Sequence, residues 1–278
     1  MVEPSVDSGG AFKSALPAGS TVGKYRIVRR LGEGGMATIY LASSVGPGGF
    51  TKQCALKVVR PEFVGRESIS RMLATEARVA AALNHPHIVQ VFDFGRLGGS
   101  YFMAMEWVDG VSLGHVMARM MRERRRVPIA VVAHVITSVA EALAYLGEGV
   151  DVDGQVTPLV HRDVSPSNVL LSLAGTVKLS DFGVVKILDE SSETKTGVVK
   201  GKYAYMSPEQ LRGEPVDHRA DLFSLGVVLF EMLTMARLFQ RKTTAGTIAA
   251  VHAARVPPPS SLWPDIPPEL DAIVRRLL

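Results

Sequence analysis

The sequence of 278 residues is long enough for two lobes or one large domain around a sizeable core. Its hydrophobic fraction of 47% and charged fraction of 21% are ordinary for a soluble globular protein and exclude an intrinsically disordered chain. The formal net charge of +4 is too small an excess to indicate nucleic-acid binding, and no nucleic-acid partner is expected.

A single cysteine, Cys54, excludes a framework of intramolecular disulfides and favours a reducing compartment, so a cytoplasmic location is expected. The N-terminus shows no basic segment followed by an apolar one, and no signal peptide is predicted. The two most apolar stretches, 127–146 and 221–239, are interrupted by polar side chains such as His134 and Glu231. They are predicted to be buried or amphipathic helices, and no membrane-spanning segment is expected.

The amino-terminal part is predicted to be rich in strands. Residues 1–22 contain many Gly, Ser, Pro and Ala residues without periodicity, and a flexible tail is expected there. From Tyr25 the pattern alternates and predicts strands, and the spacing over 67–83 predicts a helix. The predicted strands are YRIVRRL, IYLASS, CALKVVR, HIVQVFDFG and YFMAMEWV.

Beyond Gly110 the chain is predicted to be mainly helical, with two short strands at NVLLS and VKLSDFG. A β-rich first part with one main helix, followed by a mostly helical remainder, indicates an α+β protein of two lobes. The predicted helices cover 112–124, 129–146, 220–235, 244–254 and 268–278. The predicted organisation is a tail over 1–22, a small lobe over 23–107 and a larger lobe over 108–278.

A glycine cluster, GEGGMATI at 32–39, lies between two predicted strands. Glycines in such a loop let backbone amides approach phosphate groups closely. The dinucleotide-binding fingerprint does not fit, because that motif opens a helix, whereas here a strand follows. On its own the cluster is also compatible with an ordinary turn between strands.

Lys57 lies in an apolar predicted strand, where an unpaired buried charge is costly. A partner is therefore expected, and the candidate is Glu76 on the following helix. The alternative is that both residues lie on the surface and serve no common site.

Three residues in the larger lobe are candidates for chemistry on phosphate: Asp163 and Asn168 in HRDVSPSN, and Asp181 in DFG. Mg²⁺ prefers oxygen ligands and retains several waters, so one amide and one carboxylate plus phosphate oxygens make a reasonable site. Asn168 precedes one short strand and Asp181 follows the next, so a hairpin brings both side chains to the same edge. Each triplet alone arises often by chance, whereas all these motifs in this order almost never do.

With these motifs the chain resembles a eukaryotic-like, bacterial-type serine/threonine protein kinase catalytic domain from about Tyr25 to Leu278. The segments LNHPHIVQVFDFG, YMSPEQ and PDIPPELDAIV favour the bacterial type. The resemblance implies a bilobal protein-kinase-like fold, ATP and Mg²⁺ as cofactors, and transfer of the γ-phosphoryl group to serine or threonine hydroxyls of a protein substrate. The alternatives are a pseudokinase that binds nucleotide or acts as a scaffold without turnover, and a small-molecule phosphotransferase of related fold.

The resemblance also implies roles for individual residues. Asp163 would orient the substrate hydroxyl and accept its proton. Lys57, paired with Glu76, would bind the α- and β-phosphates, and Asn168 and Asp181 would bind Mg²⁺. The residues expected to contact the nucleotide are Leu31, Gly32, Glu33, Gly34, Gly35, Ile39, Ala55, Lys57, Met105, Glu106, Val108, Ser112 and Leu170.

Ser165 departs from the family pattern, which usually has lysine at this position. The family also usually has threonine where this chain has Lys202, and those two side chains meet beside the catalytic aspartate. We therefore hypothesise that the Lys202 ammonium reaches toward Asp163 and the γ-phosphate and replaces the missing catalytic charge. The alternative is a solvent-exposed Lys202 and a slower enzyme. Because lysine at 165 is part of the serine/threonine signature, a preference over tyrosine is less firmly predicted.

Two smaller departures concern loops. Ala37 replaces the last glycine of the loop, and weaker coverage of the phosphates is expected because alanine adopts a positive φ only at a cost. The segment 149–159, before His161, is longer than the usual connection of the family. It is expected to bulge outward on the face away from the substrate.

Arg162 predicts control by phosphorylation, since an arginine beside the catalytic aspartate can pair with a phosphate on the activation segment. The alternative is that this segment is only a polar loop. The candidate phosphorylation sites are Ser191, Ser192, Thr194 and Thr196.

The chain ends at Leu278, before the arginine that in this family pairs with the residue matching Glu209. A larger lobe truncated before its final helices is therefore expected, either as a piece of a longer protein or as a domain of reduced stability.

Overall fold

The computed structural model describes residues 16–63, 67–97, 100–152, 154–181 and 201–278. The chain divides into two compact units. The first takes the described residues up to Asn84 together with Val89–Val108. The second takes His85–Ile88 and the described part of Asp109–Leu278.

The first unit is built on an antiparallel sheet of six strands in the order β1-β2-β3-β4-β6-β5. The strands are β1 (Thr21–Val22), β2 (Tyr25–Glu33), β3 (Ala37–Val45), β4 (Thr51–Val59), β5 (Val91–Leu97) and β6 (Ser100–Glu106). The alternating pattern produces half-buried strands, as in β2, where Tyr25 and Ile27 are buried and Arg26 between them is exposed.

The described residues of the first unit contain a single α-helix, α1 (Glu67–Ala82), as the spacing predicted. It packs against β5 and β6. Ala77 and Ala80 are buried, and their small side chains let the helix lie close to the sheet. Leu83, directly after the helix, is also buried, as is Cys54 in β4.

The predicted flexible tail over 1–22 is wrong for residues 16–22. Leu16 and Val22 are buried in the core of the first unit, and β1 pairs with β2. The Leu16 N–H also donates to the Tyr40 hydroxyl over 3.0 Å. Two apolar side chains therefore fix this stretch, although its composition is that of a loop; residues 1–15 lie outside the described part of the chain.

The second unit is mainly helical. Its helices are α2 (Leu113–Arg122), α3 (Ile129–Glu148), α4 (Pro208–Arg212), α5 (Arg219–Thr234), α6 (Thr244–Ala253), α7 (Pro259–Leu262) and α8 (Pro268–Leu277). Helix α5 is mostly apolar and almost entirely buried, and α3 and α8 pack against it. The apolar stretch 221–239 is therefore core, as predicted.

Helix α3 is the one helix of the described residues that is long and apolar enough to cross a membrane, judged by length and composition alone. Its buried side chains include Val132, Val135 and Val139, and the helix packs along α5. A core helix has the same length and composition, so this helix does not indicate a membrane segment.

In its described residues the second unit also has five short strands: β7 (Gly110–Ser112), β8 (Val150–Val152), β9 (Gln155–Thr157), β10 (Val169–Ser172) and β11 (Val177–Leu179). The last two form the predicted antiparallel hairpin, and β7 pairs with β10 on its other side. The backbone of His87 accepts a hydrogen bond from the Leu179 N–H over 2.8 Å, and Ile88 bridges to Leu179. The strand predicted from His87 consequently begins only at Val91.

The long connection 149–159 forms the hairpin of β8 and β9. The residues of β9 are exposed, and the Leu159 N–H returns to the Leu146 carbonyl at the end of α3 over 2.9 Å. The two ends of this hairpin therefore meet at the end of α3, shortly before His161.

Candidate active site

In the first unit, Lys57 and Glu76 form the predicted ion pair. Lys57 Nζ lies 2.8 Å from Glu76 Oε1, and both side chains are largely buried. Strand β4 and helix α1 supply one partner each. The pair is the arrangement that lets two charges enter a core, because each offsets the desolvation of the other.

The sheet register gathers several predicted nucleotide contacts on one face. Ile39 in β3 lies opposite Lys57 in β4, and Ala55 lies opposite Met105 in β6. Opposed residues of an antiparallel pair share a face, as do residues two apart in one strand. Ile39, Ala55, Lys57 and Met105 therefore point to the same side of the sheet, the side on which Glu76 meets Lys57.

The glycine loop is a tight connection between β2 and β3. The Gly34 N–H donates to the Ala37 carbonyl over 2.8 Å, and Arg60 Nη1 donates to the Gly34 carbonyl over 3.3 Å. The Glu33 carboxylate pairs with Arg30 and with Arg60, at 2.9 and 3.3 Å. Glu33 thus links the loop to β2 and to the residue that follows β4.

Ala37 causes no backbone strain at the end of this loop. It is the first residue of β3 and is not among the described residues with a positive φ, and neither are the glycines of the loop. The weaker coverage of the phosphates expected at Ala37 rested on a positive φ at this position. That reason is absent, because an extended residue tolerates a side chain.

The remaining predicted contacts of the first unit lie at its strand ends. Leu31 and Gly35 are half-buried on either side of the turn into β3. Glu106 closes β6, where its N–H donates to the Gln90 carbonyl over 2.8 Å. Val108, the last residue of the unit, is buried.

In the second unit, Ser112 and Leu170 are cross-strand partners in β7 and β10. Ser112 also caps α2, since its Oγ accepts from the His115 N–H over 3.4 Å. Its predicted nucleotide contact therefore accompanies a structural role at the start of this helix.

The loop after His161 holds the predicted catalytic aspartate. Asn168 Nδ2 donates to the Asp163 carbonyl over 2.8 Å and to Asp163 Oδ2 over 3.0 Å. Lys202 Nζ donates to the same Oδ2 atom. The carboxylate is thus held by one neutral donor from its own loop and by one cation from a later segment.

The contact between Lys202 and Asp163 is the one that the exchange at 165 and 202 led us to expect. The Lys202 side chain is 41% exposed, yet its ammonium contacts the Asp163 carboxylate. Ser165 is buried, and its hydroxyl lies 2.8 Å from the Ser167 hydroxyl. The chain therefore places a positive charge next to the carboxylate from position 202, while position 165 stabilises the loop.

Asn168 and Asp181 lie at the same edge of the β10–β11 hairpin. The Ser180 N–H and hydroxyl, directly before Asp181, both donate to the Asn168 carbonyl, over 2.8 and 3.1 Å. Asp181 adopts a φ of 56°, a left-handed conformation that is uncommon outside glycine.

The donor set at this edge suits Mg²⁺ shared with a phosphate. No group of three or more His, Cys, Asp or Glu side chains that could hold a metal occurs in the described ranges. One amide oxygen and one carboxylate leave several positions for phosphate and water oxygens, as Mg²⁺ requires.

Asp221 holds the backbone of this loop, a role that the sequence interpretation missed. Its two carboxylate oxygens accept hydrogen bonds from the His161 and Arg162 N–H groups, over 2.7 and 2.8 Å. Burial raises the pKa of Asp221 to about 6. The signal was a carboxylate at the start of the apolar helix α5, where an acid needs buried donors.

His161 and Arg162 complete the support of the loop. His161 is fully buried, and burial lowers the pKa of its imidazole to about 4, so Nδ1 can accept from the Asp163 N–H over 3.3 Å. Arg162 adopts a φ of 64°. The Nε of Arg162 is buried without a hydrogen-bond partner among the described residues. The candidate phosphorylation sites, Ser191, Ser192, Thr194 and Thr196, lie outside those residues.

A buried charge network, also missed from the sequence, anchors the segment of Lys202 to α5. The Tyr205 hydroxyl donates to Glu231 Oε2 over 2.8 Å, and Arg237 Nη1 donates to both, over 2.6 Å each. The Ser224 hydroxyl donates to the Tyr205 carbonyl over 2.6 Å. These contacts fix Tyr205, three residues after Lys202, and so limit where Lys202 can reach.

Comparison with known proteins finds relatives that match most of this chain. The chain is 41% identical to "Tyrosine-protein kinase MasK" of Myxococcus xanthus over 95% of this chain and 41% of that protein. It is 30% identical to "Serine/threonine-protein kinase PrkC" of Bacillus subtilis over 91% of this chain and 37% of that protein. The chain thus spans about two fifths of the length of these curated relatives.

A solved structure shows the same fold. The crystal structure of the PknI kinase domain of Mycobacterium tuberculosis superposes with a TM-score of 0.70 at 32% identity, covering 95% of this chain and 90% of that one. The family model described as "Protein kinase domain" matches residues 25–278. The chain, with its β-rich first unit and helical second unit, belongs to the protein kinase domain family and has the bilobal α+β fold of that family.

Proposed function

We propose that this domain is an ATP- and Mg²⁺-dependent protein kinase that transfers the γ-phosphoryl group to serine or threonine hydroxyls of protein substrates. The observation that carries the proposal is the Asp163 carboxylate, held by Asn168 Nδ2 and by Lys202 Nζ. A carboxylate oriented in this way can align a hydroxyl and accept its proton.

In the proposed reaction the substrate hydroxyl loses its proton to Asp163 while its oxygen forms a bond to the γ-phosphorus, and the bond to the ADP oxygen breaks. Catalysis of this kind is mainly positioning and neutralisation of charge. The Lys202 ammonium, beside Asp163, would offset negative charge on the transferred group. Mg²⁺ held by Asn168 and Asp181 would neutralise the phosphates further.

The Lys57–Glu76 pair supports turnover over the pseudokinase alternative. The pair is formed in the first unit, and its lysine is directed to the face that carries Ile39 and Ala55. A domain kept only as a scaffold needs neither this pair nor a cation on Asp163.

Tyrosine phosphorylation is the second candidate. Two observations favour it: serine stands at position 165, and a relative at 41% identity carries the name tyrosine-protein kinase. Serine/threonine transfer is favoured by the names of other relatives, among them PknD of Mycobacterium tuberculosis at 33% identity over 95% of this chain and 38% of that protein.

The test is transfer of radiolabel from ATP with Mg²⁺ to a generic basic protein, followed by phosphoamino-acid analysis. Label on serine or threonine supports the first candidate, and label confined to tyrosine supports the second. Absence of label on any residue, under conditions in which the domain binds ATP, would favour the pseudokinase.

We also propose that phosphorylation of the activation segment controls the enzyme. The buried Nε of Arg162, without a hydrogen-bond partner in the described part of the chain, is suited to a phosphate oxygen. Mapping of phosphopeptides after incubation with ATP and Mg²⁺ tests this proposal. An unmodified region 191–196 in the active enzyme would contradict it.

A further inference from the structure

Gln210 in α4 uses both ends of its side-chain amide. Its Oε1 accepts a hydrogen bond from the Ser207 N–H over 3.0 Å and so caps its own helix. Its Nε2 donates to the Arg162 carbonyl over 3.0 Å. One side chain thereby joins the start of α4 to the residue before Asp163.

Arg162 needs support from outside its own loop. Its φ of 64° is a conformation that a non-glycine residue keeps only where its surroundings hold it. The Arg162 N–H donates to Asp221 Oδ1 over 2.8 Å, and the Arg162 carbonyl accepts from Gln210. Side chains of two different helices, α5 and α4, therefore hold the two backbone polar groups of this residue.

We propose that Gln210 is a positioning residue for phosphoryl transfer. By holding the carbonyl of the Arg162–Asp163 peptide, it sets the direction in which the Asp163 backbone leaves Arg162, and hence the direction of the carboxylate. The same contact makes the orientation of Asp163 depend on the placement of α4. This inference rests on the proposed kinase function and deepens it.

The chemistry of the two contacts explains why position 210 is glutamine. The third residue of a capping box is commonly glutamate or glutamine, because both can accept from the backbone of the cap residue. Only the amide also offers an N–H donor. A glutamate at 210 could still accept from Ser207 but would direct an oxygen at the Arg162 carbonyl.

The experiment compares Gln210→Glu, Gln210→Met and the matched control Ser207→Ala in the otherwise intact chain. Ser207→Ala removes the hydroxyl that accepts from the Gln210 N–H over 3.4 Å and keeps both contacts of the Gln210 side chain. We expect Gln210→Glu and Gln210→Met to lower kcat for a peptide substrate at least about tenfold, the rate equivalent of about 1.4 kcal/mol. The KM for ATP should stay within about twofold of wild type, because the nucleotide contacts are unchanged. Ser207→Ala should keep kcat within about twofold.

Amide hydrogen exchange gives a second measurement that does not require activity. In the protein without nucleotide, the amides of residues 161–163 should exchange at least about fivefold faster in Gln210→Glu than in wild type or in Ser207→Ala. Gln210→Met should show the same increase without adding a charge, and it decides the question if the glutamate variant unfolds.

Unchanged kcat and exchange in the methionine variant would overturn the positioning role. A loss of kcat in Ser207→Ala as large as in Gln210→Met would also overturn it, because the effect would then belong to the helix cap. Failure of wild type itself to phosphorylate any peptide would instead contradict the proposed function, and the exchange measurement would still test the contact with Arg162.

Discussion

The Asp163 carboxylate is held by two donors of different kinds. Asn168 contributes a neutral amide N–H, and Lys202 contributes a full positive charge. The amide lies in the same loop and fixes the direction of the carboxylate. The lysine comes from a segment anchored on α5, so its charge is present only when that segment is in place.

The exchange between positions 165 and 202 predicts coupled effects on rate. Lys202→Ala should lower kcat at least about tenfold, because a charge beside the transferred phosphate is lost. Ser165→Lys and Lys202→Thr should each lower kcat. The double variant should have a higher kcat than is expected if the two losses simply multiplied. Steady-state kinetics on a peptide substrate compare wild type and Lys202→Ala with the variants Ser165→Lys, Lys202→Thr and the double variant. A Lys202→Ala enzyme with unchanged kcat would remove the lysine from the mechanism.

His161 and Asp221, which hold the loop of Asp163, make the free energy of unfolding depend on pH in opposite directions. Burial raises the pKa of Asp221 to about 6, so its ionisation lowers the free energy of unfolding as pH rises from about 4 to about 6. Burial lowers the pKa of His161 to about 4, so protonation of the unfolded chain lowers the free energy of unfolding as pH falls from about 6.5 to about 4. In wild type the two effects oppose each other.

Removing either group should therefore expose the effect of the other. Relative to wild type, His161→Gln should lose about 1–3 kcal/mol of unfolding free energy as pH rises from about 4.5 to 6.5. Asp221→Asn should show the opposite slope. Urea denaturation at both pH values provides the measurement, and parallel pH profiles for all three proteins would contradict these assignments.

At the scale of elements, helix α5 holds two segments of the candidate site through buried carboxylates at its two ends. Asp221 near its start holds the loop, and Glu231 near its end holds Tyr205 and Arg237. Burial raises the pKa of Glu231 in spite of the neighbouring Arg237. A carboxylate with no exposed surface depends on this arginine as its partner.

Arg237→Ala should destabilise the fold strongly, because it leaves the Glu231 carboxylate buried without its cation. We expect a loss of about 3–5 kcal/mol in the free energy of unfolding. The control is Arg219→Ala at the start of α5, the helix that carries Glu231. The pair of Arg219 with Asp217 is exposed, and its loss should change the free energy of unfolding little. Denaturation of both variants at neutral pH compares them, and equal losses would show that burial of the pair is unimportant.

At the scale of the whole molecule, pattern in the sequence predicted the elements whose residues determine their own environment. The apolar run from Asp221 identified a core helix, and Lys57 in an apolar strand pointed to Glu76. The hairpin between Asn168 and Asp181 followed from two short strands. In each case the burial found in the structure is the burial that the local composition predicted.

Features that depend on distant contacts could not be predicted. Leu16 and Val22 enter the core although their segment has the composition of a loop. The roles of Asp221 and Gln210 come from backbone groups of Arg162, which the sequence does not specify. The cost expected at Ala37 assumed a φ that the loop does not adopt.

The most direct test of the proposed function is the rate of label transfer from ATP with Mg²⁺ by wild type and by Asp163→Asn. Asparagine retains the shape of the side chain but cannot accept the proton of the substrate hydroxyl. We expect the variant to bind ATP with a similar Kd and to transfer phosphate about 10²–10⁴ times more slowly. A variant that transfers phosphate within a few-fold of wild type, or a wild type that binds ATP and transfers none, would contradict the proposal that Asp163 is the centre of a working kinase site.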